Sequence, residues 1–313
     1  MTDQEMIDEI KKLKEEKNAV ILAHNYEIPI IQDVADFVGD SLGLAQQAAE
    51  TDADIIVFCG VHFMAETASI VSPNKKVLIP DLDAGCSLAS TITGEQVREW
   101  KKKFPGAVVV SYVNTTADVK AETDYCCTSS NAVKVINAIP EDKKILFCPD
   151  KFLGKYVQAM TGRDIEIWDG ACHVHEKIGE IDFDAAHEKY PDADFLIHPE
   201  CGCSTSCMLK ATVHESCKNI HIYSTEGMIN HVNNSKANEF VIATEVGILH
   251  RMKKMNPSKD FYPVSEDSVC EYMKMITLDK LYDALKNEQF EVKVPEELAA
   301  KAKLPIERML QIV

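Results

Sequence analysis

Ten short apolar runs, each with β-branched or aromatic residues, recur along the chain between polar stretches of helical length: AVILAHNY, DIIVFCG, KVLIPD, AVVVSYV, KILFCPD, IEIWDG, DFLIHPE, IHIYST, EFVIAT and DFYPVS. Strands that are apolar without alternation must be covered on both faces. Helical connections between them bring consecutive strands side by side in parallel. The pattern therefore predicts an α/β fold built from parallel sheets in α/β/α three-layer units. No long linker or low-complexity stretch divides the chain, so the units are expected to be tightly joined.

The runs repeat. AHNY ends a strand at 23–26, YVNT at 112–115 and IHPE at 197–200, with 88 residues from His24 to Tyr112 and 86 from Tyr112 to His198. Between 60 and 72 residues after each of these positions stands a cysteine, just past the last run of its set. These are Cys86 in PDLDAGCSLAS, Cys172 in WDGACHVHEK and Cys270 in PVSEDSVCEYM. Such self-similarity marks an internal repeat. The expected units are residues 1–87, 88–173 and 174–313, the last with a C-terminal helical tail. Ligands of open parallel sheets collect beyond the carboxyl ends of the strands. If three sheets turn those ends toward a pseudo-threefold axis, the three cysteines converge. Three thiolates around one centre suit a [4Fe-4S] cluster whose fourth iron has no protein ligand and acts as a Lewis acid. The alternative is three cysteines at loop starts that never meet.

Charge and composition exclude several classes. The chain of 313 residues is 46% apolar and carries a net charge of −17, without a basic run. A nucleic-acid surface or an anionic-membrane surface would have to work against that field. The opening MTDQEMIDEIKKLKEEKN lacks the apolar stretch of a signal peptide, and no segment approaches a membrane span, so a cytoplasmic location is expected. Eleven cysteines in a reducing compartment do not make a disulfide framework. Cys59 and Cys148 stand inside apolar runs and read as buried thiols.

Several segments carry a specific resemblance: AHNYEIPIIQDVADFVGDSLGLAQQA, CGVHFMAETASIVSPNKKVLIPD, AGCSLA, SYVNTTADVKAETDYCCTSSNA, IHPECGC, STEGM and EYMKMITLDKLYDAL. In this order, over nearly the whole chain, they resemble the quinolinate synthase family, the A protein of bacterial NAD biosynthesis. The resemblance implies three similar domains around a pseudo-threefold axis, with a [4Fe-4S] cluster bound by Cys86, Cys172 and Cys270. It also implies condensation of iminoaspartate with dihydroxyacetone phosphate to quinolinate, with loss of phosphate and two waters. A functional link to L-aspartate oxidase follows from that substrate, with neither nucleic acid nor membrane as partner.

In HNY, His24 and Tyr26 alternate with Asn25 and so point to one side of an extended strand end. Tyr112 and Asn114 repeat that geometry in the second set, His198 and Glu200 in the third. The resemblance carries the family's active-site positions onto these six. Glu200 is expected to do acid-base work with His198 in support and Tyr26 assisting proton transfer. By motif match to the family, Ser41, Ser129 and Thr225 are candidates for binding carboxylate or phosphate, with helix N-capping as their ordinary role. His175 follows Cys172 by three positions, as in the family's pattern, and is placed in the same cavity.

HPECGCSTSCML supports a rival reading. His198, Cys201, Cys203 and Cys207 offer four ligands to a structural zinc, which would make the protein a zinc-stabilised binding or regulatory module centred on residues 198–207. Their C-x-C-x3-C spacing matches neither zinc ribbons nor ferredoxins, and they are read as nonessential to the cluster. Cys126 and Cys127 are not expected to be ligands.

Overall fold

The computed structural model describes residues 1–213 and 219–312. Its strands are β1 (Ala19–His24), β2 (Phe37–Gly39), β3 (Ile55–Cys59), β4 (Lys76–Leu78), β5 (Val108–Tyr112), β6 (Tyr125–Cys127), β7 (Ile145–Cys148), β8 (Ile165–Ile167), β9 (Asp194–Ile197), β10 (Ile220–Ile222), β11 (Glu239–Ala243) and β12 (Asp260–Pro263). They form three four-stranded sheets, ordered β2-β1-β3-β4, β6-β5-β7-β8 and β10-β9-β11-β12. Every pairing between these strands is parallel. Three similar α/β/α domains are thus what the chain forms, with the same strand order in each.

The ten apolar runs are all strands. The sequence pattern missed β2 and β6, whose segments FVG and YCC are three residues long. Both are edge strands with one partner each. Length and edge position do not set them apart from β4, β8 and β10, which are also three-residue edge strands, but FVG and YCC hold only one β-branched residue between them, Val38. Cys126 and Cys127 are both buried, so neither faces solvent from the edge.

One hydrophobic core runs through all three sheets, joining Ile21 and Phe58 to Val110 and Phe147 and to Leu196 and Ile242. The C-terminal tail adds to the joining. Helix Leu278–Asn287 packs on helix Asp3–Glu16, and helix Glu296–Gln311 packs beside β6. Arg308 donates to the Asp124 carbonyl at 2.6 Å, and Asn131 Nδ2 donates to the carbonyls of Met309 at 3.1 Å and Ile312 at 2.7 Å. The tail of the third repeat therefore closes over the first two. Among the described residues no helix is long and apolar enough to cross a membrane.

One glycine fixes the approach to Cys172. A Cβ on Gly170 would lie 2.4 Å from the Pro149 carbonyl oxygen and 2.4 Å from Thr91 Oγ1, so only glycine lets this loop lie against β7's exit.

Candidate functional site

In each sheet the chain adds its second strand on one side of the first and its third on the other. That reversal opens a crevice at the carboxyl end of the first strand. The ends of β1, β5 and β9 meet at one cavity, which has about 70 Å³ of space for water centres, several times what one water needs. Every residue expected from the resemblance to act in catalysis, substrate binding or cluster ligation lines it, whereas Cys201, Cys203 and Cys207 of the rival zinc reading do not.

The strand-end pairs face one cavity, although not through extended backbone: Asn25–Tyr26 and Pro199–Glu200 lie in turns closed by the Glu27 amide on the His24 carbonyl and the Cys201 amide on the His198 carbonyl, and Asn114 lies in a bend after β5. His24 and Tyr26 face the cavity, while Asn25 between them donates to Thr225 Oγ1 at 3.1 Å and accepts from Arg251 at 2.8 Å. The Tyr26 amide donates to His24 Nδ1 at 3.2 Å, and the two rings meet edge-on at 4.5 Å. Burial pushes the His24 imidazole down to about 3, so this ring is neutral. Asn114 is set by the buried Lys120, whose ammonium donates to the carbonyls of Val113, at 2.8 Å, and Thr115.

Glu200 sits among imidazoles. His198 Nδ1 is 3.1 Å and His175 Nδ1 is 3.8 Å from its Oε2. Burial pushes the carboxyl up, but His175, His198 and the Tyr112 hydroxyl outweigh it and hold it below the ordinary carboxylate value. Glu200 is therefore an anion at the centre of the cavity, whose wall also carries Asp40 and Glu245. Burial lowers His175 to about 4 and raises the Tyr26 phenol, which leaves both neutral. Asn114 Oδ1 and Glu200 Oε1 are buried with no hydrogen-bonding protein partner, the condition of groups that await a ligand.

The ordinary capping role does not fall to Ser41 or Thr225. Asp40 and Ser224 are the caps, accepting from the amides of Gly43 and Gly227. Ser41 and Thr225 instead open helices Ser41–Glu50 and Thr225–Asn234 at the cavity wall, where free amides and the helix dipole favour anions. Ser129 Oγ is 3.1 Å from His198 Nε2. No Lys or Arg is among the described residues lining the cavity.

Cys86, Cys172 and Cys270 are brought together at this cavity, each three residues before a 3-10 turn: Ala89–Thr91, His175–Lys177 and Met273–Met275. The turn aims two backbone N–H groups at each sulfur, from Leu88 and Ala89, from Val174 and His175, and from Tyr272 and Met273. Burial raises the thiols, Cys86 to about 12 and Cys270 to about 11, and their mutual repulsion adds to this in Cys86 and Cys172. Such sulfurs ionise when a bound metal supplies positive charge, and the amides then stabilise the thiolates. The donor set fits an iron-sulfur cluster.

The segment 198–207 is arranged otherwise. Cys201, Cys203 and Cys207 are fully buried in a separate apolar cluster with Ile178, Phe183 and Phe195. Cys201 Sγ donates to the Ala243 carbonyl at 3.1 Å, and His198 turns away toward Ser129 and Glu200. Among the described residues two groups bring three ligating atoms within 4.8 Å of one another, His175/His198/Glu200 and Asp194/His221/His231, and neither holds a cysteine.

Sequence reasoning missed several residues here. Thr244 Oγ1 lies 2.5 Å from Tyr26 Oη and 2.8 Å from His175 Nε2, and His175 Nδ1 is 3.3 Å from Cys172 Sγ. Glu245 accepts from the Cys270 amide at 3.2 Å and pairs with Lys274 at 2.8 Å. The signal was present: IATE ends an apolar strand on polar residues, as HNY does, but at the third strand of its set. The residues that follow the three cysteines also join, Ser87 Oγ at 2.6 Å from His173 Nδ1 and His173 Nε2 at 2.7 Å from Glu271 Oε2. That chain ties the three cysteine loops to one another.

Comparison with known proteins agrees over the full length. The profile of the quinolinate synthetase A protein family matches residues 8–311. A quinolinate synthase of Pyrobaculum aerophilum is 56% identical over 304 residues, covering 97% of this chain and 98% of that protein. One of Thermus thermophilus is 53% identical over 313 residues, 100% of this chain and 99% of that protein. One of Mycobacterium tuberculosis is 49% identical over 312 residues, 99% and 89% of the two chains.

Proposed function

The chain belongs to the quinolinate synthetase A protein family, and from that premise we propose that it condenses iminoaspartate with dihydroxyacetone phosphate to quinolinate, releasing phosphate and two waters. The observation that carries this reading is the threefold convergence on one cavity. Each repeat contributes a cysteine at the start of the same turn and a polar pair from the end of its first strand. Cys86, Cys172 and Cys270 would hold a [4Fe-4S] cluster. When bound, that cluster would supply Lewis acidity toward a substrate carboxylate and hydroxyl.

The chain's own groups divide the remaining work. Glu200, anionic and without a partner at Oε1, takes a proton from the ketose carbon, with His198 beside it to orient the carboxylate. Tyr26, a neutral phenol, passes a proton to and from substrate oxygen during isomerisation and ring closure. With no Lys or Arg among the described residues of the wall, substrate carboxylates and phosphate are held by neutral donors: the hydroxyls of Ser41, Ser129 and Thr225, the Asn114 amide, the Tyr112 phenol, the rings of His24 and His175, and two helix N-termini. Burial excludes water from an imine that hydrolyses readily.

The test is direct. Protein purified without oxygen, supplied with dihydroxyacetone phosphate and with iminoaspartate made in situ by L-aspartate oxidase, is expected to form quinolinate, read by chromatography. Iron-loaded protein that forms none would overturn the proposal.

Thr244 gives a finer test, because its hydroxyl bridges Tyr26 Oη and His175 Nε2 at 2.5 and 2.8 Å, where those two atoms themselves stand 3.5 Å apart. Thr244→Val keeps the shape and removes both hydrogen bonds, so kcat is expected to fall about tenfold, equivalent to about 1.4 kcal/mol. Thr244→Ser should restore most of the rate. Equal kcat in wild type and the valine variant would remove Thr244 from the proton path.

A further inference from the structure

Asp194 opens β9, His221 is the middle residue of β10, and His231 lies in helix Thr225–Asn234. One carboxylate oxygen and two ring nitrogens from these residues lie within 4.8 Å of one another. The cluster is at the amino end of β9, the opposite end of that strand from His198 and Glu200, and takes no part in the chemistry described above. We propose that it is a second metal site, independent of the cysteines, which binds one divalent cation of borderline softness, zinc being the best suited, through His221, His231 and Asp194.

Two imidazoles and one carboxylate are a donor set that suits zinc, with a fourth position left to water. The ligands are already oriented. His231 Nε2 is 2.9 Å from Asp194 Oδ2, and Ser235 Oγ donates to the same oxygen at 3.1 Å, an outer contact of the kind that fixes a metal-binding carboxylate. His221 stacks on Tyr223 with 5° between the rings, which sets its plane. Tetrahedral ligands bonded at about 2.0–2.1 Å stand about 3.3 Å apart, so closing the triad on an ion needs modest side-chain rotation.

A salt bridge alone does not account for the second histidine. The two imidazoles lie 4.3 Å apart between ring centres, close enough for neutral rings to turn a lone pair each toward one shared cation. His231 and Asp194 keep 19% and 18% of their side-chain surface, enough for an ion to enter. Binding moves the His231 Nε2 proton to Nδ1 or to solvent, and the metal takes its place against Asp194 Oδ2. Because β10 is an edge strand paired with β9 alone, an ion held there would clamp the edge strand and helix to the sheet.

The experiment uses the full-length protein purified without oxygen, its iron content measured first, then equilibrated with buffered zinc chloride. Wild type is compared with His221→Ala and His231→Gln, the second of which keeps a donor for Asp194. Expected are one zinc per chain, X-ray absorption showing only nitrogen and oxygen neighbours with imidazole outer-shell scattering, and a thermal midpoint raised by zinc. Both variants should bind zinc at least ~100-fold more weakly and lose the thermal shift, with quinolinate formation unchanged. Sulfur neighbours at the zinc, uptake unchanged in both variants, or no uptake at micromolar zinc would each overturn the proposal.

Discussion

Cys172→Ala is expected to yield a colourless protein in which iron and sulfide fall from about four each per chain to near zero and quinolinate formation is lost. Cys172 lines the cavity with Cys86 and Cys270, beside its turn amides and 3.3 Å from His175 Nδ1. With one of three thiolates removed, the other two would leave a second iron without a protein ligand. The comparison variant is Cys203→Ala, whose sulfur is packed among apolar side chains in a separate cluster. It should keep its iron, its colour and its activity. Full iron in the Cys172 variant would sink the three-thiol assignment, and iron lost from a folded Cys203 variant would move the metal to residues 198–207.

Glu200→Gln is expected to lower kcat by about 10²- to 10⁴-fold while the iron content stays at the wild-type level. The substitution keeps size and removes the charge that faces His175 and His198. If Glu200 only oriented His198 for binding, KM would rise with kcat preserved, which separates the two roles. The wild-type pH profile bears on the same point. Burial raises the Glu200 carboxyl, but its neighbours hold it below the ordinary value of 4.5. The carboxylate therefore persists above that pH, and the stability it contributes is lost only as pH falls through the lowered value. The rate should show no ionisation of this group between about pH 6 and 8, and a carboxylate titration found there would contradict the assignment.

Much of this site was legible because strands announce themselves twice. An apolar run must be buried, and polar residues that break it at its carboxyl end stand where parallel sheets bind ligands. HNY, YVN and HPE marked the cavity residues by polar side chains at strand ends, but the chain turns there instead of staying extended, and Asn25 is buried against Thr225 and Arg251. Thr244 and Glu245 carry the same signal at the end of β11, but on the third strand of its set, where the repeat of HNY, YVN and HPE does not point. The caps at Asp40 and Ser224 are one position ahead of the residues chosen, a shift that depends on where each helix takes its first turn. Lys120 gave no signal, since a lysine is ordinarily exposed. It is buried here because two carbonyls of the β5 loop accept from its ammonium.

By itself the sequence determined the class, the threefold repeat and the residues that end each strand, since these follow from local burial and periodicity. Only the tertiary structure decided which of those ends meet. Cys86, Cys172 and Cys270 are joined by no local pattern and come together because one core holds three sheets with their carboxyl ends toward a common centre. The same packing decided the charge of each group. A histidine in a sequence has its ordinary affinity for protons, but at His24 and His175 the loss of water lowers it, while at Glu200 the surrounding donors keep the carboxylate charged despite burial.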